Sequence, residues 1–239
     1  MTVDALVIGA HPDDIELIAG GTIAKLVALG KRVAAVDLTR GETGTRGTPE
    51  TRRKEAEKAA EVLGLTERIC LDMGDCRLEN NLENKIKLTE IIRDFRPLIV
   101  MAHHWEDLHP DHCKAGEMMK DIMYPVGIVN FHARGAPYRP NEVLFFMGHF
   151  TFQPSFIIDV SDYFDKKTEA IKCHQSQLYN PDSKGLETNI SQPYLLLRIE
   201  ARARHYGSLI QKTFGEPFYV RRPVPVNDPV ELYKPFSKT

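Results

Sequence analysis

Three consecutive segments near the start of the chain narrow what it can fold into. Val3 to Ile8 is an unbroken apolar run of the kind found in strands buried on both faces. Thr22 to Leu29 predicts a helix that ends at Gly30, a residue suited to the left-handed turn after a helix. Arg32 to Thr39 predicts a second strand. Strand, helix and strand in this order form a βαβ unit, which implies a parallel sheet and a right-handed crossover. The rhythm continues with a helix from Pro49 to Leu63, a strand from Arg68 to Met73 and a helix from Leu82 to Phe95. A strand from Leu98 to Ala102 and a helix from Asp111 to Met123 follow. The fold class is therefore α/β, a Rossmann-like, mostly parallel sheet with helices on both faces.

Beyond Pro125 the alternation weakens. Ala133 to Asn141 reads as a long loop, Glu142 to Met147 and Phe156 to Val160 as strands, and Asp162 to Gln177 as a helix. Asn180 to Ser191 is polar; a further helix is expected from Glu200 to Lys212. The stretch from Glu216 holds five prolines and reads as extended. No repeat, heptad pattern or linker interrupts the 239 residues, so residues 1–239 read as a single domain.

The first strand ends in Gly9-Ala10-His11-Pro12-Asp13-Asp14-Ile15-Glu16. The fourth leads into His103-His104 and then His109-Pro110-Asp111-His112. Ligands of open α/β sheets collect at the carboxyl ends of the strands, so the two clusters point to one metal site assembled from separate loops. A catalytic zinc needs three protein ligands and a free position. His11 with Asp13 or Asp14 supplies two of them, and a histidine of the second cluster the third. The residue pattern leaves open which aspartate and which histidine bind. A bound metal lowers the pKa of water to about 7 and polarises a carbonyl. The second aspartate is then available as a general base, and a second histidine, held by Asp111, as a general acid to a leaving amine. Together these functions describe amide hydrolysis.

One further residue is placed by periodicity. In the helix after the Gly- and Thr-rich loop Arg40 to Pro49, the apolar stripe is Ala56, Ala59, Ala60 and Leu63. Four residues back from Ala56 lies Arg52, which therefore points inward on the ligand side and needs an acidic partner or an anionic ligand. Arg53 points to solvent.

A net charge of −2, with basic residues scattered, offers no nucleic-acid footprint. No apolar run is long enough to span a bilayer, and the N-terminus enters a strand at once, so a cytoplasmic protein without membrane partners is expected. Cys70, Cys76, Cys113 and Cys173 form no C-x-x-C pair and read as reduced thiols. The P-loop, H-E-x-x-H, G-x-S-x-G and G-x-G-x-x-G signatures are absent.

The H-P-D-D-x-E stretch from His11 to Glu16, Gly20-Gly21-Thr22, Arg52-x-x-Glu55 and the His109 to His112 motif together resemble the LmbE-like (PIG-L) family of zinc-dependent N-acetylglucosaminyl deacetylases. The resemblance implies one Zn2+ per chain on His11, Asp14 and His112. Asp13 becomes the general base, His109 the general acid oriented by Asp111, and Arg52 a substrate contact. Further similarity to the bacillithiol-pathway branch lies in Gln153 to Ser161, Ser176-Gln177, Glu200-Ala201-Arg202 and Tyr206-Gly207. It implies N-acetyl-alpha-D-glucosaminyl L-malate as substrate, with another N-acyl sugar or thiol conjugate as the alternative. It also implies a homo-oligomer, hexameric in that branch. Arg139 and Tyr194 become candidate substrate contacts, in competition with Arg134 and Tyr179. Trp105-Glu106-Asp107 and Cys113, flanking the second motif, depart from the pattern at the pocket rim.

Overall fold

The computed structural model describes residues 2–182 and 185–228. Seven strands form one sheet in the order β3-β2-β1-β4-β5-β7-β6. The strands are β1 (Ala5–Gly9), β2 (Val33–Asp37), β3 (Glu67–Cys70), β4 (Ile99–His103), β5 (Glu142–Phe146), β6 (Phe156–Asp159) and β7 (Gly215–Tyr219). β3, β2, β1, β4 and β5 run parallel, and β7 pairs antiparallel with both β5 and β6. The helices are α1 (Asp14–Ala28), α2 (Pro49–Leu63), α3 (Leu82–Phe95), α4 (Pro110–Ile122), α5 (Phe164–Lys172) and α6 (Leu195–Leu209).

Strand periodicity sorts the core into two layers. Leu6 and Ile8 pack with Leu88 and Ile92 of α3 and Met118 of α4. Ala5 and Val7 face the other way, onto Ile15, Ala19 and Ile23 of α1. β1 and β4 are neighbours in the sheet, although the chain leaves β1 toward β2. The crossover direction reverses at this pair, and the crevice beyond its carboxyl ends is a ligand position of doubly wound sheets. His11 follows β1 and His103 ends β4.

The structure departs from the sequence reading at α1, which begins at Asp14 rather than Thr22 and carries Gly20-Gly21 in its middle. Packing explains the glycines. A Cβ on Gly20 would stand 3.0 Å from Lys167 Cγ, and one on Gly21 2.9 Å from Val160 Cβ. Lys167 donates to the Ile18 carbonyl at 3.1 Å, and Glu216 of β7 accepts the Gly21 and Thr22 amides at 3.0 and 2.7 Å. Of the stretch from Glu216 that reads as extended, Glu216 to Tyr219 belong to β7, the strand between β5 and β6, and residues 229–239 lie outside the described residues. Pro217 lies beyond the two residues through which β7 pairs with β5. The helix expected from Asp162 to Gln177 is a 3-10 turn (Ser161–Tyr163) followed by the shorter α5. α6 is shifted five residues toward the N-terminus relative to the expected start at Glu200. It ends by Leu209 because the chain folds back, with the Lys212 amide donating to the Gly207 carbonyl at 2.9 Å.

Glu16, the acid of the first motif, is fully buried beneath the crevice. Arg68 of β3 reaches it and also makes a two-pronged pair with Asp37 of β2, at 2.8 and 2.9 Å. His174 Nε2 stands 3.3 Å from the second Glu16 oxygen. Burial alone would raise the Glu16 carboxyl, but Arg68 and His174 outweigh it and bring it down to about 2 from an ordinary 4.5. A depressed carboxyl contributes stability above its unfolded pKa and loses it as pH falls through the folded value. The unfolding free energy of wild type should therefore exceed that of Glu16→Gln by about 3 kcal/mol near neutrality. The gap should narrow as pH falls below 4.5 toward 2. Guanidinium titrations at a series of pH values measure it, and a gap independent of pH would contradict the assignment.

Candidate metal centre and active site

The turn from β1 into α1 is held in an uncommon conformation. Asp13 has φ 132°, a positive value that non-glycine residues adopt only when their surroundings enforce it. Arg52 supplies the constraint. It is buried, donates to the Pro12 carbonyl at 2.9 Å and to Asp13 Oδ2 at 3.3 Å, and reaches the Gly41 carbonyl at 3.1 Å. Gly41 has φ +64°, and a Cβ there would fall 2.0 Å from Arg52 Nη1. The inward orientation expected of Arg52 is observed, and its acidic partner is Asp13.

Asp14 opens α1, and its carboxylate sits among three imidazoles. Oδ2 accepts the His11 main-chain N–H at 2.8 Å and lies 3.4 Å from His11 Nδ1 and 3.1 Å from His103 Nε2. Oδ1 lies 3.2 Å from His112 Nε2. His112 stands in the first turn of α4, where Pro110 occupies the first position and His109 is the N-cap. Its ring is fixed from behind, since Nδ1 is 3.0 Å from Asp107 Oδ1 and Nε2 is turned to Asp14. Asp107 also takes the His149 ring at 2.7 Å and the amides of His109 and His149 at 3.0 and 2.8 Å. A Cβ on Gly148 would lie 2.0 Å from Asp107 Oδ2, so only glycine admits this carboxylate. Asp107 thus acts as the orienting acid behind an imidazole, an arrangement usual behind histidine metal ligands.

The role of Asp111 differs from the one the motif implied. Its carboxylate faces His11 Nε2 at 3.2 Å and accepts the Cys76 amide at 2.7 Å, not the His109 ring. His109 is oriented through the main chain instead, because its Nδ1 accepts the Asp111 N–H at 3.2 Å. The early amides of a helix lack intrahelical partners, and the N-cap imidazole satisfies one of them. That bond leaves His109 Nε2 to carry the ring proton. Asp75, not singled out by the sequence, lies 3.2 Å from His11 Nε2.

The electrostatics favour a cation here. Burial opposes protonation of His11, yet Asp111, Asp14 and Asp75 raise its pKa well above the ordinary 6.5. His112 rises to about 9, with Asp14 and Asp107 outweighing burial. The Asp14 carboxyl falls well below the usual range, because His112 and His103 outweigh its burial. Positive charge is thus stabilised at His11 and His112, whereas burial and the neighbouring His112 bring His103 down to about 4. His11, His109 and His112 offer nitrogens within 4.8 Å of one another, and so do donor atoms of Asp14, His103 and His112. Mixed imidazole and carboxylate donors fit a divalent ion such as zinc. Asp13 behaves in the opposite way to Asp14. Burial pushes its carboxyl up to about 6, with Asp14 adding to the rise and Arg52 opposing it. A carboxyl that titrates near 6 suits proton transfer close to neutrality.

The cluster forms the floor of a cavity of about 390 Å³, a size typical of small-ligand sites. His11, Asp13, Asp14, Arg52, His109 and His112 all line it. Arg139 and Tyr194 do not. The Arg139 guanidinium donates to the Tyr124 carbonyl at 2.8 Å and lies over the Tyr124 ring. Tyr194 is half-exposed at the N-cap of α6. Their rivals fare no better, since Arg134 pairs with Asp94 and Tyr179 is exposed outside the cavity. Neither position was fixed by a motif, and α6 starts earlier than its periodicity suggested. In their place α6 turns Arg198 and Arg202 to the cavity, with His149 beside them.

The structure is thus a Rossmann-like α/β sheet with an imidazole–carboxylate cluster, able to hold a metal ion, at its switch point. The family model described as PIG-L, GlcNAc-PI de-N-acetylase, matches residues 6–123, from β1 to the end of α4. The diacetylchitobiose deacetylase of Thermococcus kodakarensis is 33% identical over 88% of this chain and 80% of its own length. A probable N-acetyl-alpha-D-glucosaminyl L-malate deacetylase 2 of Bacillus cereus is 29% identical over 72% of this chain and 82% of its own. The crystal structure of the conserved protein TT1542 of Thermus thermophilus superposes with a TM-score of 0.87, at 33% identity and over 100% of both chains. The chain belongs to the PIG-L family. Among the described residues no helix is long and apolar enough to cross a membrane.

Removal of the Asp107 carboxylate frees the His112 and His149 rings. Asp107→Ala should weaken zinc binding by about 10–100-fold, the usual effect of losing an acid behind a histidine ligand. Competition with a zinc chelator measures it, and unchanged affinity would show that His112 is not a ligand.

Proposed function

We propose that this protein is a zinc-dependent N-deacetylase that hydrolyses the acetamide of an N-acetylglucosamine conjugate. One observation carries the reading: two adjacent aspartates on one turn, Asp14 held low among imidazoles and Asp13 raised to about 6 beside them. Binding alone would require only the first. The T. kodakarensis relative, named for deacetylation of diacetylchitobiose, supports the same bond as target.

His11, Asp14 and His112 are the proposed ligands, and the bound metal supplies a Lewis acid that polarises the acetamide carbonyl and acidifies water. Asp13 accepts the proton of the attacking water, whose oxygen forms the new bond to the acyl carbon. Arg52 holds the Asp13 carboxylate through a hydrogen bond and stabilises its charged form. The carbon–nitrogen bond then breaks as Asp13 passes the proton it accepted to the leaving nitrogen, while His109, whose Nδ1 is taken by the Asp111 N–H, stays neutral and donates a hydrogen bond from Nε2 to the reacting group instead of acting as the acid the motif implied. The Asp111 amide holds the opposite ring nitrogen throughout. The products are acetate and a free amino sugar.

The finer assignment is N-acetyl-alpha-D-glucosaminyl L-malate as substrate, in bacillithiol biosynthesis. It rests on the segments shared with that branch and on the name of the B. cereus relative. N-acyl thiol conjugates are the alternative class for the same centre.

Zinc-loaded protein offered the malate conjugate and N,N′-diacetylchitobiose should release acetate and free amine, measured by amine derivatisation. Asp13→Asn should keep its zinc while turnover falls about 100-fold or more. Zinc lost from this variant would exchange the roles of Asp13 and Asp14. Turnover of neither substrate by wild type, nor of any related N-acyl conjugate, would remove the reading.

A further inference from the structure

The inward face of α6 carries residues that its amphipathic pattern does not call for. Leu195, Arg198, Ile199, Arg202 and Ala203 all line the active cavity, at the i, i+3, i+4, i+7 and i+8 spacing of one helix face. Apolar side chains ordinarily fill such positions, and Leu195 and Ala203 are buried there. The two arginines stand one turn apart between them. On the outer face, by contrast, Arg204 has an acid, Glu200, at 2.8 Å.

Four lysine and arginine side chains line the cavity, and their partners divide them into two classes. Arg52 is neutralised by Asp13 at 3.3 Å and Lys167 by Glu216 at 2.6 Å. Among the described residues neither Arg198 nor Arg202 has a carboxylate partner. Arg202 is anchored by neutral acceptors, the Gly148 carbonyl at 2.7 Å and the Met147 carbonyl at 3.3 Å. That anchor fixes it beside His149, another lining residue. Arg198 lies near the Tyr194 ring, 5.9 Å from its centroid. Both arginines are exposed residues. Two like charges at this spacing repel each other, and an anion between or beside them would relieve the repulsion. The guanidinium fork also matches the oxygens of a carboxylate or phosphate.

We propose that Arg198 and Arg202 form an anion subsite in the active cavity, which receives a carboxylate or phosphate carried by the group attached to the acetylated sugar. The inference rests on the deacetylase reading for the identity of the sugar, but the subsite itself is defined by charge. It makes the enzyme selective for charged conjugates over neutral oligosaccharides. The aglycone is thus read by α6, while the acetamide is handled by the loops after β1 and β4.

The test compares zinc-loaded wild type, Arg198→Gln, Arg198→Lys and the Arg198→Gln/Arg202→Gln double variant. The ligands are the GlcNAc conjugate of malate, GlcNAc-1-phosphate and neutral N,N′-diacetylchitobiose. Acetate release and calorimetric binding are both read. Arg198→Gln should weaken binding of an anionic ligand about tenfold and leave the neutral one within about twofold. Arg198→Lys should restore part of the loss, and added salt should shrink the wild-type preference. Loss confined to malate identifies a carboxylate subsite, and loss confined to GlcNAc-1-phosphate a phosphate subsite. Equal weakening of all three ligands, or no weakening of any, overturns the proposal. Acetate release without charge-dependent loss leaves the deacetylase reading intact and removes the subsite. Charge-dependent binding without acetate release from any ligand does the reverse.

Discussion

The site depends on one buried carboxylate, Asp14, held among the imidazoles of His11, His103 and His112. A charge in that position is costly unless opposite charge and hydrogen bonds surround it. The fold meets that condition by placing β1 beside β4, although α1, β2, α2, β3 and α3 separate them in the chain. His11 comes from the turn after β1, Asp14 from the start of α1, His103 from the end of β4 and His112 from the first turn of α4. Gly116, one turn further along α4, lets the helix approach so closely that a Cβ there would meet the Trp105 amide at 2.6 Å. The histidines reach the carboxylate because the α4 backbone is admitted against β4.

A second consequence is that two neighbouring aspartates acquire opposite character. The charged His112 ring and the hydrogen bonds of the neighbouring imidazoles hold Asp14 ionised, whereas burial raises Asp13 to about 6. Pairs of titratable groups driven apart in this way are how a site separates a binding role from a proton-transfer role. The positive φ of Asp13 is part of the same arrangement, since it turns consecutive side chains to different partners. Arg52 stabilises the turn through the Pro12 carbonyl as well as through Asp13, so its contribution is both geometric and electrostatic.

Local patterns revealed the strands of the parallel half and both metal-site motifs, because apolar runs and motif spacing are short-range properties. The inward turn of Arg52 was legible for the same reason, as a continuation of the stripe of Ala56, Ala59 and Leu63. Features that depend on distant contacts were not legible. Gly20-Gly21 looked like a helix boundary until Lys167 and Val160 explained it as a close packing position. The strand Gly215–Tyr219 was visible only as an extended stretch, since its partners in β5 and β6 are far away in the sequence. Asp107 looked like a departure at the rim, yet it sits behind His112 and His149. Asp75 and His149 gave no local signal. Arg139 and Tyr194, inferred by likeness outside any motif, do not line the cavity, and the cavity-facing arginines lie on α6, which starts earlier than expected.

The central claim is the division of labour within His11-Pro12-Asp13-Asp14. The most direct measurement is a crystal structure of the zinc-loaded protein with anomalous data collected on both sides of the zinc edge. The account predicts one zinc per chain, bound by His11, Asp14 and His112, with the Asp13 carboxylate outside the coordination sphere and still paired with Arg52. Zinc bound by Asp13, or seated instead among Asp107, His112 and His149, would contradict it.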